Sequence, residues 1–226
     1  MSRPMPLIAP FAHLQTVVFD FDGTLARLTL DFNELNTAVY EAVRQVFPKA
    51  PPFEPPALEW VDACLRRARP ENTELAELIH CRAEAALLAV EVAAARKGEL
   101  FSHTRPLLAR LHADGTNIGV ITRNCRAAVL TVFPDLEDHC LLLAREDVPA
   151  PKPDPAHLLR MLNLLRSGPA QSLMVGDHPL DILTGQRAGT MTVGVTCGHA
   201  SFAQLQTAKP NVILEHCGQL LATPLP

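Results

Sequence analysis

Little in this chain marks it for nucleic acid or membrane. Lysines are few, and no run of basic residues exceeds two. With a formal net charge of −4 and a pI near 6.1, it lacks the basic stripe of a general nucleic-acid or acidic-membrane binder. No apolar run approaches the length needed to span a bilayer. The start, Met1-Ser2-Arg3-Pro4-Met5-Pro6, has one basic residue and two prolines and makes a poor secretory signal. The six cysteines (Cys64, Cys81, Cys125, Cys140, Cys197, Cys217) are scattered with no Cys-x-x-Cys. That usage suits reduced thiols in a cytoplasm, mostly as small buried hydrophobes. The nine histidines show no metal-ligand spacing. They read as surface or core residues, and only His178 falls near the candidate site. The expectation is a soluble, cytoplasmic monomer or homodimer with neither nucleic acid nor membrane as partner.

What is present is a set of short apolar runs that end in polar side chains. Val17-Val18-Phe19 runs into Asp20, with Asp22, Gly23 and Thr24 close behind. So apolar a run reads as a buried strand of a parallel sheet, and ligands of open α/β sheets bind at the carboxyl ends of such strands. Asp and Gly often merely end a strand in a turn. Two carboxylates this close, however, repel each other unless a cation or a shared proton relieves the cost, and a hard, oxygen-loving cation such as Mg²⁺ does so most cheaply. Ile118-Gly119-Val120-Ile121 ends in Thr122. Pro151-Lys152-Pro153 places a lysine in a rigid loop after Leu141-Leu142-Leu143. Leu173-Met174-Val175-Gly176 ends in Asp177, with Asp181 four residues on. One sheet edge would gather them all.

Taken in order, these residues resemble the four motifs of the haloacid dehalogenase-like phosphohydrolases. The Asp-x-Asp-Gly-Thr signature falls on Asp20, Asp22, Gly23 and Thr24, the strand-end hydroxyl on Thr122, the lysine on Lys152, and Gly-Asp-x-x-x-Asp on Gly176, Asp177 and Asp181. The resemblance covers nearly the whole chain and is closest to the phosphoglycolate-phosphatase-like branch, in which a helical cap interrupts the chain after the first motif. His178-Pro179 departs mildly from the small polar residue that many relatives carry there.

The pattern of elements agrees. Strand candidates lie at 16–20, 117–121, 139–143, 172–176, 191–195 and 211–214, alternating with helical stripes such as Leu107-Leu108-Leu111 and Leu158-Leu159-Leu162. Such alternation implies an α/β fold, a doubly wound parallel sheet with helices on both faces, here a Rossmann-like core of residues 1–27 and 100–226. Residues 28–99 break the alternation. Asp31-Phe32-Asn33-Glu34 starts a helix with Leu35, Val39 and Val43 on one face. A proline-rich loop from Pro48 to Pro56 separates it from a second helix, and Pro70 opens a third that ends at Arg96-Lys97-Gly98, with glycine at the cap. This all-helical insertion reads as a lid, the cap of the resemblance.

The resemblance implies a Mg²⁺-dependent phosphatase acting on a small phosphorylated metabolite. Asp20 would be the nucleophile and form an aspartyl-phosphate, and Asp22 the general acid and base. Asp20, the main-chain carbonyl of Asp22, and Asp177 would hold the metal, with Asp181 as outer support. Thr122, Arg123 and Lys152 would bind the phosphoryl group, and Asn124 is a further candidate for substrate contact. The alternatives are a phosphomutase using the same residues, or a non-turnover phosphoacceptor or binding protein.

Overall fold

The computed structural model describes residues 7–221. In chain order its elements are β1 (Thr16–Phe19), β2 (Ala26–Arg27), α1 (Phe32–Val46), α2 (Ala57–Ala68), α3 (Thr73–Ala95), β3 (Glu99–Leu100), α4 (Thr104–Ala113), β4 (Asn117–Ile121), α5 (Arg126–Val132), β5 (Leu141–Leu143), α6 (Pro155–Leu164), β6 (Ser172–Gly176), α7 (Pro179–Ala188), β7 (Met191–Val195), α8 (Phe202–Ala208) and β8 (Val212–Leu214). No described helix is long and apolar enough to cross a membrane, and all six cysteines are free.

Six strands form one parallel sheet in the order β5-β4-β1-β6-β7-β8. The apolar runs are buried, as is every residue of β1 and β6. β1 lies in the centre, with Phe19 level with Val120 on one side and Val175 on the other. From β1 the chain winds outward through β4 and β5, then returns to wind the other way through β6, β7 and β8. Right-handed crossovers running in opposite directions place their helices on opposite faces, which makes the sheet doubly wound. On one face Val18, Ile121, Leu143 and Met174 pack against Leu158, Met161 and Leu162 of α6. The winding reverses at β1, and a crevice opens at such a switch point.

The chain divides into two compact units, one running up to Leu28 and again from Gly98 onwards, the other Thr29–Lys97. The second has its own core, in which Leu35, Val39 and Val43 of α1 meet Trp60 and Cys64 of α2 and Ile79, Ala83 and Leu87 of α3. The Asp31 carboxylate caps α1, accepting the N–H groups of Asn33 and Glu34. Three details differ from the sequence reading. First, α3 starts at Thr73, not Pro70, because the Asn72 side chain can accept the Leu75 N–H and so satisfy a donor of the first turn. Second, α3 ends at Ala95 with Arg96 still in right-handed helical geometry, and Gly98 is not among the residues of positive φ, so no glycine cap forms. Third, Ala26 pairs with Leu100 and Arg27 with Glu99 in an antiparallel ribbon. That ribbon draws the chain around Leu28 and Gly98-Glu99 out of the insertion and into the first unit.

Candidate active site

Three neighbouring strands deliver the polar residues to one sheet edge. Asp20 follows β1 directly and is held there by its N–H, which donates to Val175 O at 2.8 Å. Thr122 follows β4, buried, with its N–H on Leu143 O and its hydroxyl accepting the Asn124 N–H at 3.1 Å. Asp177 follows β6 and is buried. Lys152 reaches in from the loop between β5 and α6. Its Nζ lies 2.5 Å from Asp20 Oδ1 and 2.6 Å from Asp181 Oδ1. The other oxygen of Asp181 accepts the His178 N–H at 3.0 Å, so both oxygens of Asp181 are held by donors of the protein.

The chain can turn this tightly after Asp20 only with glycine at position 23. Gly23 has φ +81°, and a Cβ there would fall on the Asp177 carboxylate. Asp22, one residue earlier, accepts the Leu28 N–H at 2.9 Å.

The electrostatics are those of a site with too much negative charge. Burial pushes the Asp20 carboxyl up, against the pull of Lys152, and the Asp181 and Asp177 carboxylates push it further. Burial raises Asp22 to about 6. Lys152 stays above its ordinary value despite burial, because Asp181 and Asp20 flank it. Burial would raise Asp177 as well, but hydrogen bonds from His199 outweigh it and hold Asp177 below its ordinary value. Asp20, Asp177 and Asp181 each offer a ligand atom within 4.8 Å of the others. The four carboxylates of Asp20, Asp22, Asp177 and Asp181 outnumber the two cationic groups beside them, Lys152 and the His199 ring, and such a surplus is relieved by a cation or by protonation. An all-oxygen donor set of this kind fits a hard divalent cation such as Mg²⁺.

The structure thus brings together Asp20, Lys152, Asp177 and Asp181. The carboxylate of Asp22 lies outside the group that could share one ion, and the reading of Asp22 as a ligand concerns its main-chain carbonyl. Asp181, expected only as support, stands inside that group. Arg123 is half-buried, and its carbonyl accepts from Arg145 Nη1 at 2.7 Å. His178 caps α7, its ring accepting the Leu180 N–H.

The histidines need a correction, since His178 is not the only one near the site. His199 Nδ1 lies 3.1 Å from Asp177 Oδ2 and its Nε2 3.8 Å from Asp22 Oδ2. The bond to Asp177 raises His199 to about 9. Buried His157 accepts the Lys152 N–H on Nδ1 at 3.3 Å, and its Nε2 lies 3.1 Å from Leu143 O. Neither histidine has a strand-end signature, and both are placed by packing that sequence spacing does not encode.

Strand-end carboxylates around a buried lysine, at the switch point of a parallel sheet, define a class of hydrolase. The haloacid dehalogenase-like hydrolase profile matches residues 17–195, and the chain belongs to that family. Among curated relatives, a phosphoglycolate phosphatase of Yersinia pseudotuberculosis is 32% identical over 126 residues, 54% of this chain and 54% of its own. A pyrophosphatase PpaX of Bacillus mycoides is 35% identical over 116 residues, 49% of this chain and 53% of its own. These matches span about half the length of the relatives. Among solved structures, a hydrolase from Pseudomonas syringae superposes with a TM-score of 0.63 at 18% identity, over 89% of this chain and 94% of its own.

Proposed function

We propose that this protein is a Mg²⁺-dependent phosphatase that hydrolyses a small phosphate monoester through an aspartyl-phosphate on Asp20. The observation that carries the reading is the buried trio Asp20, Asp177 and Asp181 around Lys152 Nζ, in a chain of this family. Phosphoryl transfer asks mainly for positioning and charge neutralisation, and this sheet edge offers both.

Asp20 and Asp177, with the main-chain carbonyl of Asp22, would hold the cation. When bound there, Mg²⁺ would supply charge neutralisation for the phosphoryl oxygens, so that the anionic Asp20 could approach an anionic ester. The Asp20 carboxylate attacks phosphorus and the ester P–O bond breaks. Asp22 gives its proton to the departing alkoxide. It then takes a proton from the water that hydrolyses the aspartyl-phosphate, which frees phosphate and restores Asp20. A carboxyl raised to about 6 suits both duties, because it changes protonation state near neutral pH. Thr122, Arg123 and Lys152 bind the phosphoryl oxygens, and Asp181 keeps Lys152 in place. The free thiols fit a reducing compartment such as the cytoplasm.

A screen of phosphorylated metabolites with Mg²⁺, reporting rate constants, tests this reading. Hydrolysis of at least one small ester, and of p-nitrophenyl phosphate, should cease in excess chelator and return with Mg²⁺. Undiminished turnover in chelator overturns the metal assignment. Product that retains the phosphate at a new position assigns a mutase instead.

A further inference from the structure

The segment after β7, Cys197-Gly198-His199, carries none of the motifs read from the sequence, yet it closes around two of them. Cys197 Sγ donates to Gly23 O at 3.2 Å, on the turn that follows Asp20. A Cβ at Gly198 would fall on the Asp177 carboxylate, so only glycine lets the main chain pass this close. His199 then grips that carboxylate twice. Its N–H donates to Asp177 Oδ2 at 2.6 Å, and its ring Nδ1 lies 3.1 Å from the same atom. Among the described residues, the hydrogen bonds that reach Asp177 all fall on Oδ2. The far edge of the ring, Nε2, stands 3.8 Å from Asp22 Oδ2.

We propose that His199 is the positioning residue of the metal site: ring and main chain together fix Asp177 through one oxygen and hold its carboxylate in the orientation a cation requires. The inference rests on the reading of Asp177 as a metal ligand. A ligand carboxylate left to rotate must be ordered each time the cation binds, whereas one with a fixed outer hydrogen bond is ordered beforehand. The main-chain bond survives any substitution at position 199, so the ring's share can be measured alone. Two amide side chains separate the ring's two edges. Asn places its amide nitrogen where Nδ1 stands, and Gln places its own nearer to Nε2.

The test is calorimetric titration of Mn²⁺, as a probe of the Mg²⁺ site, into the full-length wild-type, His199→Ala, His199→Asn and His199→Gln proteins, without substrate. Far-UV circular dichroism confirms that each is folded; the His199 side chain is 39% exposed, so truncation leaves no core cavity. The Ala variant should bind about 10–100-fold more weakly, the usual cost of losing such an outer hydrogen bond. The Asn variant should recover most of that loss and the Gln variant little. Equal Mn²⁺ affinity in wild type and the Ala variant overturns the positioning role while leaving the metal site intact. Equal recovery by Asn and Gln overturns the assignment to Nδ1. A wild-type protein that binds no Mn²⁺ removes the metal reading itself, and this inference with it.

Discussion

At the scale of residues, the two carboxylates of the first motif should separate by role. Asp20→Asn should abolish turnover, because an amide is a poor nucleophile and brings no charge to the cation. Asp22→Asn removes proton transfer alone, a contribution of about 10²–10⁴-fold. An aryl phosphate has a leaving group that needs little protonation, so its first step should survive in this variant better than that of an alkyl ester. Hydrolysis of the aspartyl-phosphate still needs a base, so the phosphorylated enzyme should accumulate. Intact-protein mass after a rapid quench of Asp22→Asn with p-nitrophenyl phosphate should show a phosphate adduct on Asp20. An adduct elsewhere, or near-normal turnover by Asp20→Asn, would mean that the nucleophile is another residue. The residues the structure gathers at this sheet edge were legible because a carboxylate or hydroxyl that ends an apolar run, as Asp20, Thr122 and Asp177 do, is chemically out of place, and because Lys152 stands between two prolines. His199 was not. It lies twenty-two residues beyond Asp177, in a loop whose composition is ordinary, and only the close passage at Gly198 brings it to the carboxylate.

At the scale of elements, the long apolar runs were readable to within a residue or two, since β1, β4, β6 and β7 are mostly apolar and buried and carry no buried charge along their length. The ribbon of β2 and β3 was not readable, because two residues per strand carry no periodicity; Arg27 and Glu99 meet there only through tertiary closure. Helix α6 gives a prediction of its own. His157 sits fully buried on it, with one ring nitrogen accepting the Lys152 N–H and the other facing Leu143 O. Burial lowers its pKa from 6.5 to about 4. The unfolded chain therefore binds the proton more readily between those values, and stability falls as pH drops through that window. The loss should reach about 2 kcal/mol between pH 7 and pH 5. Urea midpoints across that range should fall more steeply for wild type than for His157→Asn, which has nothing to protonate at this position. Parallel pH profiles for the two proteins would show that His157 takes up a proton in the folded state at no cost.

At the scale of the whole molecule, the chain is two cores on one thread. The thread crosses between the units only twice, between Leu28 and Thr29 and between Lys97 and Gly98. Units with separate apolar clusters and so few covalent links lose structure by their own equilibria. The sequence supplies a reporter for one of them, since the single tryptophan, Trp60, lies in the core of the helical unit. Its Nε1 donates to the carbonyls of Pro51 and Pro52 at 3.2 and 3.0 Å, and its ring stacks edge-on with Phe53 at 5.1 Å. Its fluorescence therefore reads the helical unit, whereas loss of p-nitrophenyl phosphate hydrolysis reads the carboxylate site of the other. Ile79, wholly buried against Trp60's cluster, separates the two signals. Replacing Ile79 with Ala removes buried methyl groups and should cost the helical unit about 2–5 kcal/mol. In urea, the Trp60 transition of Ile79→Ala should move to lower denaturant, while unfolding of the sheet unit, followed by protection of the β1 and β6 amides against hydrogen exchange, should stay near its wild-type midpoint. Two probes that shift together by the same free energy would show instead that the two cores unfold as one cooperative body.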